Sequence, residues 1–259
     1  MNVDYNNINL SCGNVLTHPD KQHLEFIKSE GGFDIIVANP PYSQKWHLNN
    51  KEDKVAENDP RFKGYDGLTL KSRADLAFIQ HMLYYLKKDG ICVVALPHGV
   101  LFRDGIEKTI RQQIIKNNYI DTIINLPTNI FFNMDLDICI IVFKKQRTDQ
   151  NILFIEASQE CGSIIQSKKN KNILNENNIN DILNWYFKRE NVINKTYIAS
   201  QEEIIKHDYD LMTFFKQYIN SSEEEEVIDY SQLKKEEHFF NEKMNEYKKI
   251  IELMVEELE

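Results

Sequence analysis

The chain has 259 residues, 42% of them hydrophobic, with four cysteines and a formal net charge of -9. That is enough for one α/β domain of ordinary size plus an appendage. Its longest apolar runs, Ile91 to Leu96 and Ile138 to Phe143, are strand-sized, which excludes a membrane span of roughly 18 apolar residues.

The opening MNVDYNNINLSCG has neither a basic nor an apolar signal region, so the expected location is the cytoplasm. Cys12, Cys92, Cys139 and Cys161 form no CxxC pair and have no histidine at ligand spacing, so no metal site is expected. Cys92 and Cys139 lie in apolar runs and read as small buried hydrophobes. The negative charge is unevenly spread: residues 220–259 hold 13 acidic and 5 basic side chains, leaving the body near neutral. A near-neutral body is a poor stand-alone DNA binder, but it can dock on DNA if another subunit supplies most phosphate contacts.

Taken in chain order, FDIIVANPPY predicts a buried strand stopped by a double proline. Residues 43–72 are polar and aperiodic, which predicts a long loop. Apolar spacing predicts a helix over Ala74 to Lys87, closed by Gly90, followed by the strand ICVVALPHG and a helix over Asp104 to Asn117. Ile120 to Leu126 and Leu136 to Lys144 predict an antiparallel hairpin at the end of the sheet, and Asn151 to Ala157 a further strand. Helices are expected around Ile179 to Arg189 and Gln201 to His207. Strands alternating with helices predict a mainly parallel sheet covered on its faces. After the acidic run Glu223 to Glu226, a heptad seam continues from Phe240 through Met244, Tyr247, Ile251, Met254 and Leu258, which predicts a helix that either packs on its own domain or, in preference, docks on a partner subunit's helix.

The residues that carry chemistry are Asn39, Pro40, Pro41 and Tyr42, at the carboxyl end of an apolar strand, where open α/β sheets bind ligands. An exocyclic adenine amine is a poor nucleophile because its lone pair is delocalised into the ring. The Asn39 side-chain oxygen and the Pro40 carbonyl, aimed at the two amine hydrogens, would favour a pyramidal nitrogen, and the prolines would hold that geometry. Tyr42 offers a face on which a base taken out of the duplex can stack. The same four residues also make a good strand-ending turn.

The succession FDIIVANPPYSQKW, DPRFKGY, ADLAFIQHMLYYLKKDGICVVALPHGVLFRDGIEKTIRQQII, IDTIINLPTNIFF, DICIIVFKK and HDYDL resembles the methylation subunit of type I restriction-modification systems from about Asn9 to Tyr218. The resemblance implies an adenine-N6 DNA methyltransferase that uses S-adenosylmethionine and works on double-stranded DNA with a specificity subunit, which a restriction subunit can join. The implied fold is α/β, an incomplete Rossmann-like S-adenosylmethionine-dependent methyltransferase sheet with a C-terminal helical extension. Residues 1–160 would form the partial catalytic domain, 161–220 a mixed helical region and 221–259 the acidic heptad helix. Asn39 to Tyr42 fall on the family's catalytic motif. Gly13 and Asn14 fall where the family has a Gly-Asp pair near the cofactor, as does Asn39, and the Asn14 substitution puts that contact in question. Phe62, Lys63 and Gly64 match a substrate-side loop or, equally, a plain solvated loop, and Arg103 is expected either on a phosphate or, in preference, on a neighbouring carboxylate.

None of the nine glycines forms a GxG element, so the main cofactor loop is expected to be absent. Two readings follow. In one the chain is part of a split or shortened methylation subunit that needs a separate N-terminal fragment and is inactive alone. In the other it is a non-catalytic module that only binds the specificity subunit. Sheet edges left open by missing strands predict self-association.

Overall fold

A computed structural model describes residues 10–46, 58–67, 72–131, 136–166 and 169–220. The heptad segment expected over 221–259 lies outside the described residues, as does much of the expected 43–72 loop.

Helix α1 (Lys21–Glu30) leads into strand β1 (Phe33–Ala38), and helix α2 (Asp75–Tyr85) runs directly into β2 (Leu86–Pro97). A single helical turn α3 (Gly99–Phe102) and helix α4 (Ile106–Lys116) precede β3 (Ile120–Asn125) and β4 (Ile138–Lys144). Strand β5 (Ile152–Glu156) is followed by β6 (Gly162–Gln166), β7 (Lys169–Ile173), helix α5 (Glu176–Lys188), β8 (Thr196–Ala199), helix α6 (Gln201–Lys206) and a π-helical turn at Phe214–Ile219. Six strands form one sheet in the order β1-β2-β4-β3-β5-β8, and β6 and β7 form a separate antiparallel pair. The β1–β2 and β3–β5 neighbours are parallel, whereas β2–β4, β3–β4 and β5–β8 are antiparallel.

Local chemistry explains the element ends. Asp20 caps α1 by accepting from the Gln22 amide, and Asn175 and Ser200 form capping boxes with Asn178 and Glu203 at the starts of α5 and α6. Gly32 has φ +119, and a Cβ there would sit 2.5 Å from the Tyr85 carbonyl oxygen, so only glycine lets β1 begin against the end of α2.

The structure corrects three expectations of element placement. Helix α2 stops at Tyr85 rather than Lys87, because Leu86 already pairs with Phe33 and the register then shifts. Gly90 is therefore not a helix stop: it lies inside β2, where a Cβ would come within 2.8 Å of Leu86 and 2.9 Å of the Phe33 carbonyl oxygen. The β3–β4 hairpin is internal rather than terminal, because β3 pairs on its free side with β5, and β8 follows. Residues beyond 160 thus add a strand to the same sheet, and the compact unit continues to Ser221.

The principal core lies on one face of the sheet. Cys92, Val94 and Leu96 of β2 and Cys139, Ile141 and Phe143 of β4 pack under Ile79 and Leu83 of α2, Ile110 and Ile114 of α4, and Phe214 and Phe215 of the π-helical turn. Burial pushes the Cys92 and Cys139 thiols up to about 12, so they act as the apolar side chains that the sequence predicts. On the opposite face Ile124, Leu126, Ile138, Leu153 and Ile155 cluster with Ile182 of α5. Buried Asp121 gathers Lys144, Arg147 and Arg189 at 3.2, 3.4 and 3.3 Å, which ties the end of α5 to the sheet. No helix among the described residues is long and apolar enough to cross a membrane.

Candidate functional site

Ala38 pairs with Val94, so Asn39 and Pro40 continue past the sheet beside the carboxyl end of β2. The two prolines offer no amide to a neighbouring strand and therefore end the ladder there. Asn39 and Pro41 are exposed, and Pro40 and Tyr42 are half-buried. The Tyr42 ring rests against the second apolar cluster together with Ala95 and Ile140, and burial pushes its hydroxyl up to about 12. The hydroxyl is therefore a protonated donor at neutral pH, and it donates to Asn39 Oδ1. The side-chain oxygen that sequence reasoning aims at a base amine is occupied by the neighbouring tyrosine.

The chain after the motif is tied to α2. Ser43, at φ 49, donates its amide to Asp75 Oδ1 at 2.7 Å. Ala74 donates its amide to the Gln44 carbonyl at 2.9 Å. Trp46 is buried edge-on against Phe62, with ring centroids 5.2 Å apart, in a small core with Leu16, Ala74 and Ala77.

Asp75 is only 1% exposed, and its other oxygen lies 3.4 Å from Arg103 Nη1. Arg103 also lies 3.6 Å from Glu107, whose carboxyl is raised by burial. Arg103 thus pairs with carboxylates, the preferred expectation. Phe62 belongs to the core rather than to a substrate-side loop, whereas Lys63 and Gly64 are exposed. Asp34, at the start of β1, pairs with Lys87 at 2.9 Å.

Gly13 and Asn14, the positions matched to the cofactor, are exposed in the turn that precedes α1. Asn14 Oδ1 accepts from the Leu16 and Thr17 amides at 3.1 and 3.4 Å and so closes a local turn. Buried Arg61 donates to the Val15 and Leu16 carbonyls at 2.7 and 2.8 Å and pairs with Asp59 at 2.7 Å, which fixes this turn against the 58–67 segment. No group of metal-ligating side chains occurs among the described residues.

Sequence reasoning passes over Asp75 and Arg61. An acid in the first turn of a helix reads as an ordinary dipole partner, and only the fold shows that its carboxylate faces Ser43 across 32 residues.

A family profile described as N-6 DNA Methylase matches residues 1–227. The chain is 35% identical over 230 residues to the type I restriction enzyme MpnII methylase subunit of Mycoplasma pneumoniae, covering 88% of this chain and 41% of that protein. It is 34% identical over 240 residues to the MjaVIII methylase subunit of Methanocaldococcus jannaschii, covering 91% of this chain and 40% of that protein. Among solved structures, a type I restriction-modification methyltransferase subunit from Streptococcus thermophilus superposes with a TM-score of 0.68 at 40% identity, covering 76% of this chain and 40% of that one. The chain therefore spans about two fifths of the length of these relatives. With an α/β methyltransferase sheet ending in Asn39–Tyr42 and a match over most of its length, the chain belongs to the N-6 DNA methylase family.

Proposed function

We propose that this chain supplies the target-base side of an adenine-N6 DNA methyltransferase, as the modification subunit, or part of it, of a type I restriction-modification complex. The observation that carries this reading is the placement of Asn39–Tyr42 past the carboxyl end of β1, in a loop tied down at Ser43 and Gln44. An adenine turned out of the duplex stacks on the Tyr42 ring, worth on the order of 1–3 kcal/mol. Its amine displaces the Tyr42 hydroxyl from Asn39 Oδ1 and gives its second hydrogen to the Pro40 carbonyl. Two acceptors so placed turn the nitrogen lone pair out of the ring plane, and after transfer the amine proton passes to water. Positioning supplies most of the acceleration. S-adenosylmethionine supplies the electrophilic methyl group, and Gly13, Asn14 and Asn39 are the positions that would approach it.

In the same reading a specificity subunit selects the double-stranded DNA, which suits the near-neutral body, and a restriction subunit can join. The N-terminal part of the methylation subunit supplies the cofactor loop, and the complex works in the cytoplasm.

The test is transfer of labelled methyl groups to adenine by the complex containing this chain. Asn39→Ala should lower the rate by about 10²–10³-fold, the cost of removing one transition-state hydrogen-bonding group. Absence of transfer by the unaltered complex would overturn the reading.

A second reading, a non-catalytic module that only occupies the specificity subunit, is favoured by the Asn14 side chain, whose oxygen already accepts from the Leu16 and Thr17 amides. Calorimetric titration of S-adenosylmethionine separates the two. Binding by the chain alone, or after addition of the N-terminal part of an intact relative, supports the enzyme; binding in neither case supports the module.

A further inference from the structure

Resting on the methylase reading, we infer that Asp75 is a positioning residue that fixes the Asn39–Tyr42 loop through the Ser43 amide, with Arg103 orienting its carboxylate. Four observations converge on it. First, Asp75 is buried to 1% exposure, so its carboxylate is held by protein groups and not by bulk water. Second, it accepts the Ser43 amide at 2.7 Å, at a residue with φ 49, a left-handed conformation that a serine seldom adopts unless its surroundings impose it. Third, the adjoining Ala74 amide bonds to the Gln44 carbonyl at 2.9 Å, so the start of α2 grips two successive residues after the motif.

The fourth concerns the other carboxylate oxygen. Arg103 lies 3.4 Å from it, and the guanidinium packs across Gly99, where a Cβ would come within 2.1 Å of Arg103 Cζ. Arg103 is in turn held through its own carbonyl, which accepts from buried Arg111 at 3.0 Å. Arg111 also donates to the Tyr209 carbonyl at 2.9 Å, within the HDYDL turn. A continuous set of contacts therefore runs from residue 209 to the loop that would present Asn39 and Pro40 to the base. The carboxylate touches no base. It sets the loop, and a displacement of about 1 Å at such a loop lowers a rate by on the order of 10²-fold.

The experiment compares Asp75→Ala and Asp75→Asn. Amide hydrogen exchange at Ser43 is measured in the chain, and kcat and KM for DNA are measured separately in the methylase complex. Asp75→Ala should expose the Ser43 amide to exchange and lower kcat by about 100-fold with KM for DNA changed less than about threefold. Asp75→Asn keeps an oxygen for the Ser43 amide and should restore protection and bring kcat within about tenfold of the unaltered complex. The inference is overturned if Asp75→Ala leaves kcat unchanged, if kcat falls while Ser43 stays protected, or if Asp75→Asn is as impaired as Asp75→Ala. Should the unaltered complex transfer no methyl group while Asp75→Ala still deprotects Ser43, the methylase reading fails and takes the positioning role with it, although the contact itself stands.

Discussion

The two faces of the sheet are built from the same alternating strands yet end in different states. On the principal face, Cys92, Val94, Cys139 and Phe154 are fully buried, whereas on the other face Ile35 and Val37 of β1 are 70% and 75% exposed. Between these extremes, α5 covers the second face over β3 and β5 and stops short of β1. An apolar hollow of about 310 Å³ is left there, lined by Ile91, Val93, Val142, Ile179, Leu183 and Tyr186 among others. Strands in a parallel arrangement normally bury both faces. The contrast teaches that burial along β1 is a property of what packs on it and not of its side chains, since Ile36 and Ala38 join the core while Ile35 and Val37 do not.

The largest effect should come from breaking the covered face. Phe154 stacks on Phe214 at 4.7 Å and meets Phe215 at 5.4 Å. Phe154→Ala should cost roughly 3–5 kcal/mol in urea denaturation, because the cavity has no room to collapse.

A pH dependence comes next, beside buried Arg61. Burial first, and the Arg61 guanidinium second, push His81 down to about 4 from 6.5. Arg61 Nη1 lies 2.9 Å from His81 Nδ1, which accepts only when the imidazole is neutral. The unfolded chain therefore binds the proton first. The stability contributed by His81 is full above about pH 6.5 and is lost as pH falls to about 4, on the order of 3 kcal/mol. His81→Asn should flatten the stability curve over that window, and an unchanged slope would remove His81 as its cause.

Tyr42→Phe tests the second face where it meets the motif. Losing the hydroxyl frees Asn39 Oδ1 for the N6 amine, so DNA carrying the target adenine should bind the methylase complex up to about tenfold tighter, equivalent to about 1.4 kcal/mol. Weaker binding would show that the hydroxyl itself serves the base.

The smallest effect on stability is expected at the exposed end of the comparison. Ile35→Ser and Val37→Ser should each change stability by no more than about 0.5 kcal/mol. Sedimentation should nevertheless show the unaltered chain self-associating through the open β1 edge and the double variant doing so less. A monodisperse unaltered chain would contradict that reading.

Much of this was legible in the residues. Hydrophobic periodicity located β1, β3, β4, β5, α4 and α5 to within a few residues, and the double proline marked the strand end that carries Asn39–Tyr42. The short strand β8, the polar pair β6–β7 and the π-helical turn went unanticipated. A four-residue strand has too few alternations to stand out, and KNKNI in β7 lacks the apolar pattern of a strand. The Asn39–Tyr42 contact was hidden for another reason: a motif names residue types, but which side chain satisfies which acceptor depends on packing.

By itself, then, the sequence determined the α/β alternation, the apolar cysteines and the strand end at the double proline, because each depends on local order along the chain. The tertiary structure alone decided that β4 lies between β2 and β3, that Asn14 closes its own turn, that Phe62 is core and that Asp75 reaches Ser43. These depend on contacts between residues far apart in the chain, whose partners are chosen only when helices and strands pack and each buried polar group must find a donor or an acceptor.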